Sequence, residues 1–139
     1  EHPSGRPAAH DTLAPAVIYT NPELASVGMT EQEASDAGFE VRTGSFPLSA
    51  SGRAAAIGAE DGIFKVVADA STDTVLGAHI VGPGAGDMIA EAALAIEMGA
   101  PLEDVAATQH PHPTLSEGLM EAAEHAHGQA IHTANRRKR

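Results

Sequence analysis

The sequence has no cysteine and no tryptophan, and only one tyrosine and three phenylalanines among its 139 residues. Without thiols there is no disulfide framework, no thiolate nucleophile and no Cys-ligated zinc. With 3% aromatic against 42% apolar residues, any core must be aliphatic and alanine-rich. No stretch approaches the 18 or so consecutive apolar residues of a membrane span, and no charged-then-apolar secretory leader is present, so neither membrane nor export is indicated. A soluble, cytoplasmic chain is expected. It opens on Glu1 rather than Met, which suggests a piece of something longer.

Basic residues are also scarce: eight Lys and Arg face nineteen Asp and Glu, for a net charge of -11. Four of the eight form the final Arg136-Arg137-Lys138-Arg139, so the rest of the chain carries 4 minus 19, or -15. Such a body repels phosphate backbones, which argues against nucleic-acid partners except at the tail, and a short basic terminus reads first as a solvated end. Lysine occurs only at Lys65 and Lys138. This acidic composition fits a high-salt cytoplasm, where screening relieves self-repulsion. On that hypothesis, dialysis to low salt should reduce the helical circular-dichroism signal; an unchanged signal would count against it.

The length suits one domain that buries roughly 68–70% of its unfolded surface. Residues 1–14 lack periodicity and read as a linker or flexible lead. A short strand is expected at Ala16–Thr20, stopped by Asn21-Pro22. Thr30 followed by Glu33 has the spacing of a capping box, opening a helix that runs through Ala37 to Gly38. Residues 40–48 read as a strand and 49–62 as a loop. Two apolar runs around "DASTD" (Asp69–Asp73) predict an antiparallel hairpin. "AGDMIAEAALAIEMGA" predicts a helix apolar nearly all round, with five alanines between 85 and 95, which must be covered by its own core or by another subunit. A short helix starting at Pro101 and a third from Thr114 to about His127 complete an α+β pattern. The sheet is small and mostly antiparallel, with helices packed toward the C-terminus.

The densest chemistry lies in "HPHPTLSE", His110 to Glu117. Each histidine precedes a proline, which disfavours helical backbone at His110 and His112 and stiffens the segment. Thr114 is a good N-cap candidate, and Leu115, Leu119, Ala122 and Ala126 form an apolar stripe behind it. Glu117 then has two readings. It completes a capping box with Thr114, or it accepts a hydrogen bond from His112 and orients that imidazole for proton transfer.

"HPHPTLSE" resembles the His-x-His-Pro-Thr-x-x-Glu motif of the pyridine-nucleotide disulfide oxidoreductases, closest to the dihydrolipoamide dehydrogenase branch. "YTNPELASVGMTEQEA", "VLGAHIVGPGAGDMIAEAALAIEMGA" and "EDVAATQHPHPTLSE" are similar to other parts of the same family in the same order, over about residues 15–131. The resemblance implies a C-terminal dimerisation domain spanning 15–131, flanked by the 1–14 lead and a basic tail at 132–139. It implies that His112 is the acid/base exchanging protons with dihydrolipoamide thiols and that Glu117 orients it. The pair would act across a homodimer, in the partner's active site, where a redox disulfide lies beside FAD and electrons pass on to NAD. It also implies a cis bond between His112 and Pro113, with that loop approaching the partner's flavin, and a 2-oxoacid dehydrogenase complex as a partner of the parent.

Two departures qualify this. Pro111 stands where the family more often has a small residue, and no catalytic role is assigned to His110. The paired cysteines and a Gly-x-Gly-x-x-Gly strand-turn-helix are absent, so this chain alone should bind neither FAD nor NAD and should be inactive. "GPGAG", Gly82 to Gly86, makes a weak phosphate cradle. A zinc reading of His110-x-His112 and His125-x-His127, with His79 and His132 available, is weakened for the second pair because residues two apart do not share a helix face. No metal is expected. The competing class is an interaction module that dimerises without chemistry.

Overall fold

Two apolar runs of seven residues pair into the centre of the molecule, and everything else is laid against them. In the computed structural model, which describes residues 13–135, these are β4 (Ile63–Asp69) and β5 (Val75–Val81). They pair antiparallel, Phe64 opposite Ile80 and Val66 opposite Ala78, with a register shift at Val67/Ala68. The other strands are β1 (Ala16–Ile18), β2 (Leu24–Gly28) and β3 (Val41–Pro47). The five-stranded sheet has the order β1-β2-β5-β4-β3, and every pairing is antiparallel.

Helix α3 (Ala85–Glu97) packs across β2 and β5, and α5 (Glu117–His127) across β3 and β4. Both lie on the face that carries Ala25, Val27, Phe46, Phe64, Val66, Ala78 and Ile80, all buried. The short α4 (Leu102–Ala107) packs beside α5. Two close approaches seat α5. A β-carbon at Gly44 would lie 1.9 Å from the Ala122 carbonyl oxygen, and one at Gly118 would lie 2.4 Å from the Phe64 ring. The stripe Leu115, Leu119, Ala122 and Ala126 faces this contact.

Helix α1 (Glu31–Asp36) has the expected capping box: Thr30 Oγ1 accepts from the Glu33 amide, and Glu33 accepts from the Thr30 amide. Burial of α3 is one-sided. Ala85, Ile89 and Ala92 enter the core, while Leu94 and Met98 are 60% and 74% exposed.

Several boundaries differ from the sequence-based expectation. The first strand ends at Ile18, and a second strand, β2, follows where none was expected. Its five residues, Leu-Ala-Ser-Val-Gly, are a short run in which only Val favours a strand; they are strand because β1 and β5 flank them on both edges. The expected loop 49–62 contains α2 (Gly52–Ile57) after a 3-10 turn at Leu48–Ala50. Ser51 caps α2 from the Ala54 amide, and Gly58 closes it in the left-handed conformation. That signal was present in the sequence, a serine before Ala-rich residues and a glycine after them; such a cap contributes about 1 kcal/mol. Pro101 stands at the N-cap of α4 rather than inside it. Helix α5 begins at Glu117, not at Thr114. Of the expected flanks, residues 1–12 and 136–139, which include the RRKR end, lie outside the described residues. Leu13 packs against the core, and the Asn135 side chain bonds the backbone of Ala130.

Candidate functional site

The loop from Thr108 to Ser116 joins α4 to α5, and a carboxylate at each end of it fixes two histidines. At the α5 end, His112 Nδ1 donates to Glu117 Oε1 at 2.8 Å, and the Thr114 amide donates to Glu117 Oε2 at 2.6 Å. Glu117 therefore meets both groups, one oxygen for each, but its bond to the Thr114 amide lies ahead of the helix and closes no capping box. Thr114 itself does not cap the helix; its hydroxyl bonds Ser116 Oγ at 3.0 Å. The N-cap falls instead on Ser116, whose φ and ψ are -64° and -22°. The His112–Pro113 bond is cis, as is Asn21–Pro22.

The His112 side chain is 72% exposed while that of Glu117 is 18% exposed. Burial pushes the Glu117 carboxyl up, but the Thr114 amide, the His112 hydrogen bond and the charges of His112 and His132 together hold it below its ordinary value. Glu117 is thus ionised near neutral pH, and an ionised carboxylate accepts from Nδ1–H and stabilises an imidazolium. The ring leaves Nε2 at its open end. An imidazole so oriented can take a proton from, or return one to, a group docked against it.

At the other end, His110 is only 6% exposed. Its Nδ1 bonds the Thr108 carbonyl at 2.9 Å and its Nε2 meets both oxygens of Glu91, on α3, at 2.9 and 3.1 Å. This clip ties the loop to a helix on the other half of the sheet.

The chain was compared with known proteins. Residues 14–123 match the family model described as pyridine nucleotide-disulphide oxidoreductase, dimerisation domain. The chain belongs to this family. It is 58% identical to the dihydrolipoyl dehydrogenase of Thermus scotoductus, over 98% of this chain and 30% of that protein. It is also 58% identical to the dihydrolipoyl dehydrogenase of Haloferax volcanii, over 98% of this chain and 29% of that one. The solved structure of LpdA from Mycobacterium tuberculosis superposes with a TM-score of 0.75 at 30% identity, covering 80% of this chain and 24% of that one. The HOCl-induced flavoprotein disulfide reductase RclA from Escherichia coli gives 0.78 at 26% identity, over 81% and 26%. The chain thus spans under a third of the relatives it matches.

In this oxidoreductase dimerisation domain His79, His125 and His127 are each tied to a different part of the fold. His125 Nδ1 accepts from the Ser45 amide, His127 Nε2 bonds Asp73 at 2.9 Å, and His79 Nε2 lies 3.2 Å from the Met29 carbonyl. Among the described residues no three of His, Asp and Glu converge in a way that could hold a metal. The "GPGAG" turn is likewise taken: the Glu23 carboxylate accepts from the Gly86 amide at 3.1 Å, filling the anion position at the start of α3. The antiparallel sheet offers no strand-crossover-strand unit either, so the described residues do not fit a dinucleotide. No helix among the described residues is long and apolar enough to cross a membrane.

A polar hub that sequence reasoning missed is the hairpin turn. Asp73, in the left-handed region at φ 61°, binds Arg42 at 2.6 Å, His127 and the Glu103 amide, and lines a cleft of about 490 Å³ with them. Burial raises the Asp73 carboxyl, and His127, the Glu103 amide and Arg42 outweigh it to leave it lowered. A lowered carboxylate contributes stability above its unfolded value near 3.9, and that contribution is lost as pH falls through the folded value. Asp73→Asn should therefore flatten the fall in stability below about pH 4. Urea titrations at pH 3 to 6 check this; parallel curves for variant and parent would refute it.

Proposed function

We propose that this chain is the dimerisation domain of a dihydrolipoyl dehydrogenase, residues 15–131, and that His112 with Glu117 is the acid/base pair it supplies to the partner subunit of a homodimer. The observation that carries the reading is the pair itself: an exposed imidazole on a stiff loop, held at Nδ1 by a lowered carboxylate that is itself anchored by a backbone amide. The names of relatives 58% identical supply the substrate class.

In this reading His112 Nε2 takes the proton of a dihydrolipoamide thiol, and Glu117 stabilises the resulting imidazolium. FAD, the redox disulfide and NAD belong to the domains of the parent that lie outside this chain. The domain alone is inactive. A 2-oxoacid dehydrogenase complex is the larger partner, and a cytoplasm, of high salt given the -11 charge, the compartment. The uncovered Leu94 and Met98 suit burial against further protein.

The test is a hybrid dimer of the full-length parent. One subunit carries His112→Gln and the other lacks a redox cysteine. If the histidine serves the partner's site, each homodimer is inactive while reassorted mixtures regain roughly a quarter of full activity, because half the dimers are mixed and each has one intact site. No regain would mean that the pair serves its own subunit or none. A free-standing dimerisation module is the second reading, favoured if His112→Gln leaves turnover unaltered.

A further inference from the structure

Helix α5 carries a second carboxylate one turn beyond Glu117, and it too holds an imidazole. Residues four apart lie on the same helix face. Glu121 is 2% exposed, the only charged side chain among the largest fully buried ones of the described residues, and its Oε1 is bonded by His132 Nδ1. The His132 amide also points to Glu121 Oε2, at 3.4 Å. His112 thus reaches α5 from the loop before it and His132 from the segment after it. The four side chains His112, Glu117, Glu121 and His132 line one small pocket with Phe46, Ser51 and Gly52. A buried carboxylate needs a charged, hydrogen-bonded partner, since burying it unpaired is costly. His132 is that partner among the described residues.

We infer that His132, clamped by Glu121, is a positioning residue for the proposed acid/base pair: a fixed cation beside Glu117 that keeps the carboxylate ionised and His112 free to accept a proton. This rests on the function proposed above. Its support beyond geometry is mutual. The Glu121 hydrogen bond and charge raise the His132 imidazole, against a smaller opposing effect of burial, with Glu117 and Glu124 adding to the rise. The His132 charge in turn is among the causes that lower Glu117. The ionisable groups facing His132 are Glu117, Glu121 and Glu124 from α5 and His112 from the loop; the β3 and α2 side of the pocket brings Phe46, Ser51 and Gly52, none of them ionisable. Glu124 is the odd member. Its Oε2 is buried without a hydrogen-bond partner, and burial and the Glu121 charge raise its carboxyl.

The experiment is the pH profile of kcat/KM for dihydrolipoamide in the full-length parent. His132→Gln can keep a hydrogen bond to Glu121 and removes the charge. With the cation gone, the His112–Glu117 pair takes up protons more readily, so the acid limb should move to higher pH by about 0.3 to 1 unit, the range for one charge at near-contact across a partly aqueous surface. His132→Lys restores a cation and should return the limb toward its original place. Dimer mass and flavin content report assembly, and His132→Asn replaces the Gln variant should that one not assemble. An unmoved limb in the neutral variant, with His112→Gln still crippling turnover, overturns this inference and leaves the function reading standing. A shift that Lys does not reverse also overturns it. Unaltered turnover in His112→Gln removes the function reading and this inference with it.

Discussion

In the full-length parent, His112→Gln should lower turnover of dihydrolipoamide by about 10²- to 10⁴-fold, the usual contribution of a positioned general acid/base. Gln preserves size and some hydrogen bonding to Glu117 but cannot accept and release a proton at the reacting position. Glu117→Gln should cost less, on the order of 10- to 100-fold. Its amide can still meet one partner, but the charge that stabilises the imidazolium is gone. Because Glu117 also anchors the Thr114 amide at 2.6 Å, part of this loss should come from a loosened loop. The dimer mass should stay unchanged in both variants, since neither side chain belongs to the core. Steady-state kinetics with size-exclusion chromatography checks this. Turnover within twofold of the parent for His112→Gln would remove the acid/base role.

Gly44→Ala should be strongly destabilising. The added β-carbon would stand 1.9 Å from the Ala122 carbonyl oxygen, 2.6 Å from the Ala126 amide nitrogen and 2.8 Å from the Ala126 β-carbon. Two of these three are backbone atoms of α5, so no rotamer change relieves the clash; the helix must lift off β3. Overpacking of this kind costs about 1–3 kcal/mol and occasionally more, and a backbone clash belongs at the upper end. For a chain of this length about 3 kcal/mol lowers the melting temperature by roughly 10 °C. Gly52→Ala is the control, because nothing lies within 4 Å of its would-be β-carbon. Thermal melts followed by circular dichroism should separate the two variants clearly, and equal melting temperatures would show that α5 does not sit where described. Lifting α5 would also displace Glu117, so Gly44→Ala in the full-length parent should lose turnover beyond its loss of folded protein.

The parts of the fold legible in the sequence are those whose contacts are local. The Thr30–Glu33 capping box and the β4–β5 hairpin each connect residues close along the chain, and periodicity or spacing reports them. His112 and Glu117 are five apart, which is why their pairing could be read as one of two alternatives; Glu117 bonds His112 and the Thr114 amide through separate carboxylate oxygens, while the helix cap falls on Ser116 instead. Helix α2 is also signalled in the sequence, by Ser51 and Gly58, but its Ser- and Gly-rich flanks carry the pattern of a loop equally well. The clips were not legible. Glu91 with His110 spans 19 residues, Asp73 with His127 spans 54 and Ser45 with His125 spans 80. No local pattern distinguishes such residues from solvated polar ones.

What the sequence determined by itself was the α+β class, the absence of thiol chemistry, and a stiff histidine loop feeding a helix. These follow from composition and short-range backbone preference, which act wherever the residues are placed. The tertiary structure decided which imidazole stays open and which are tied down. His110 is buried against α3, His125 and His127 are bound to β3 and the hairpin turn, His132 is drawn to a buried Glu121, and His112 remains 72% exposed. That choice depends on where α3 and α5 lie across one sheet, because a histidine's availability is set by the oxygens that reach it, and those come from distant parts of the chain.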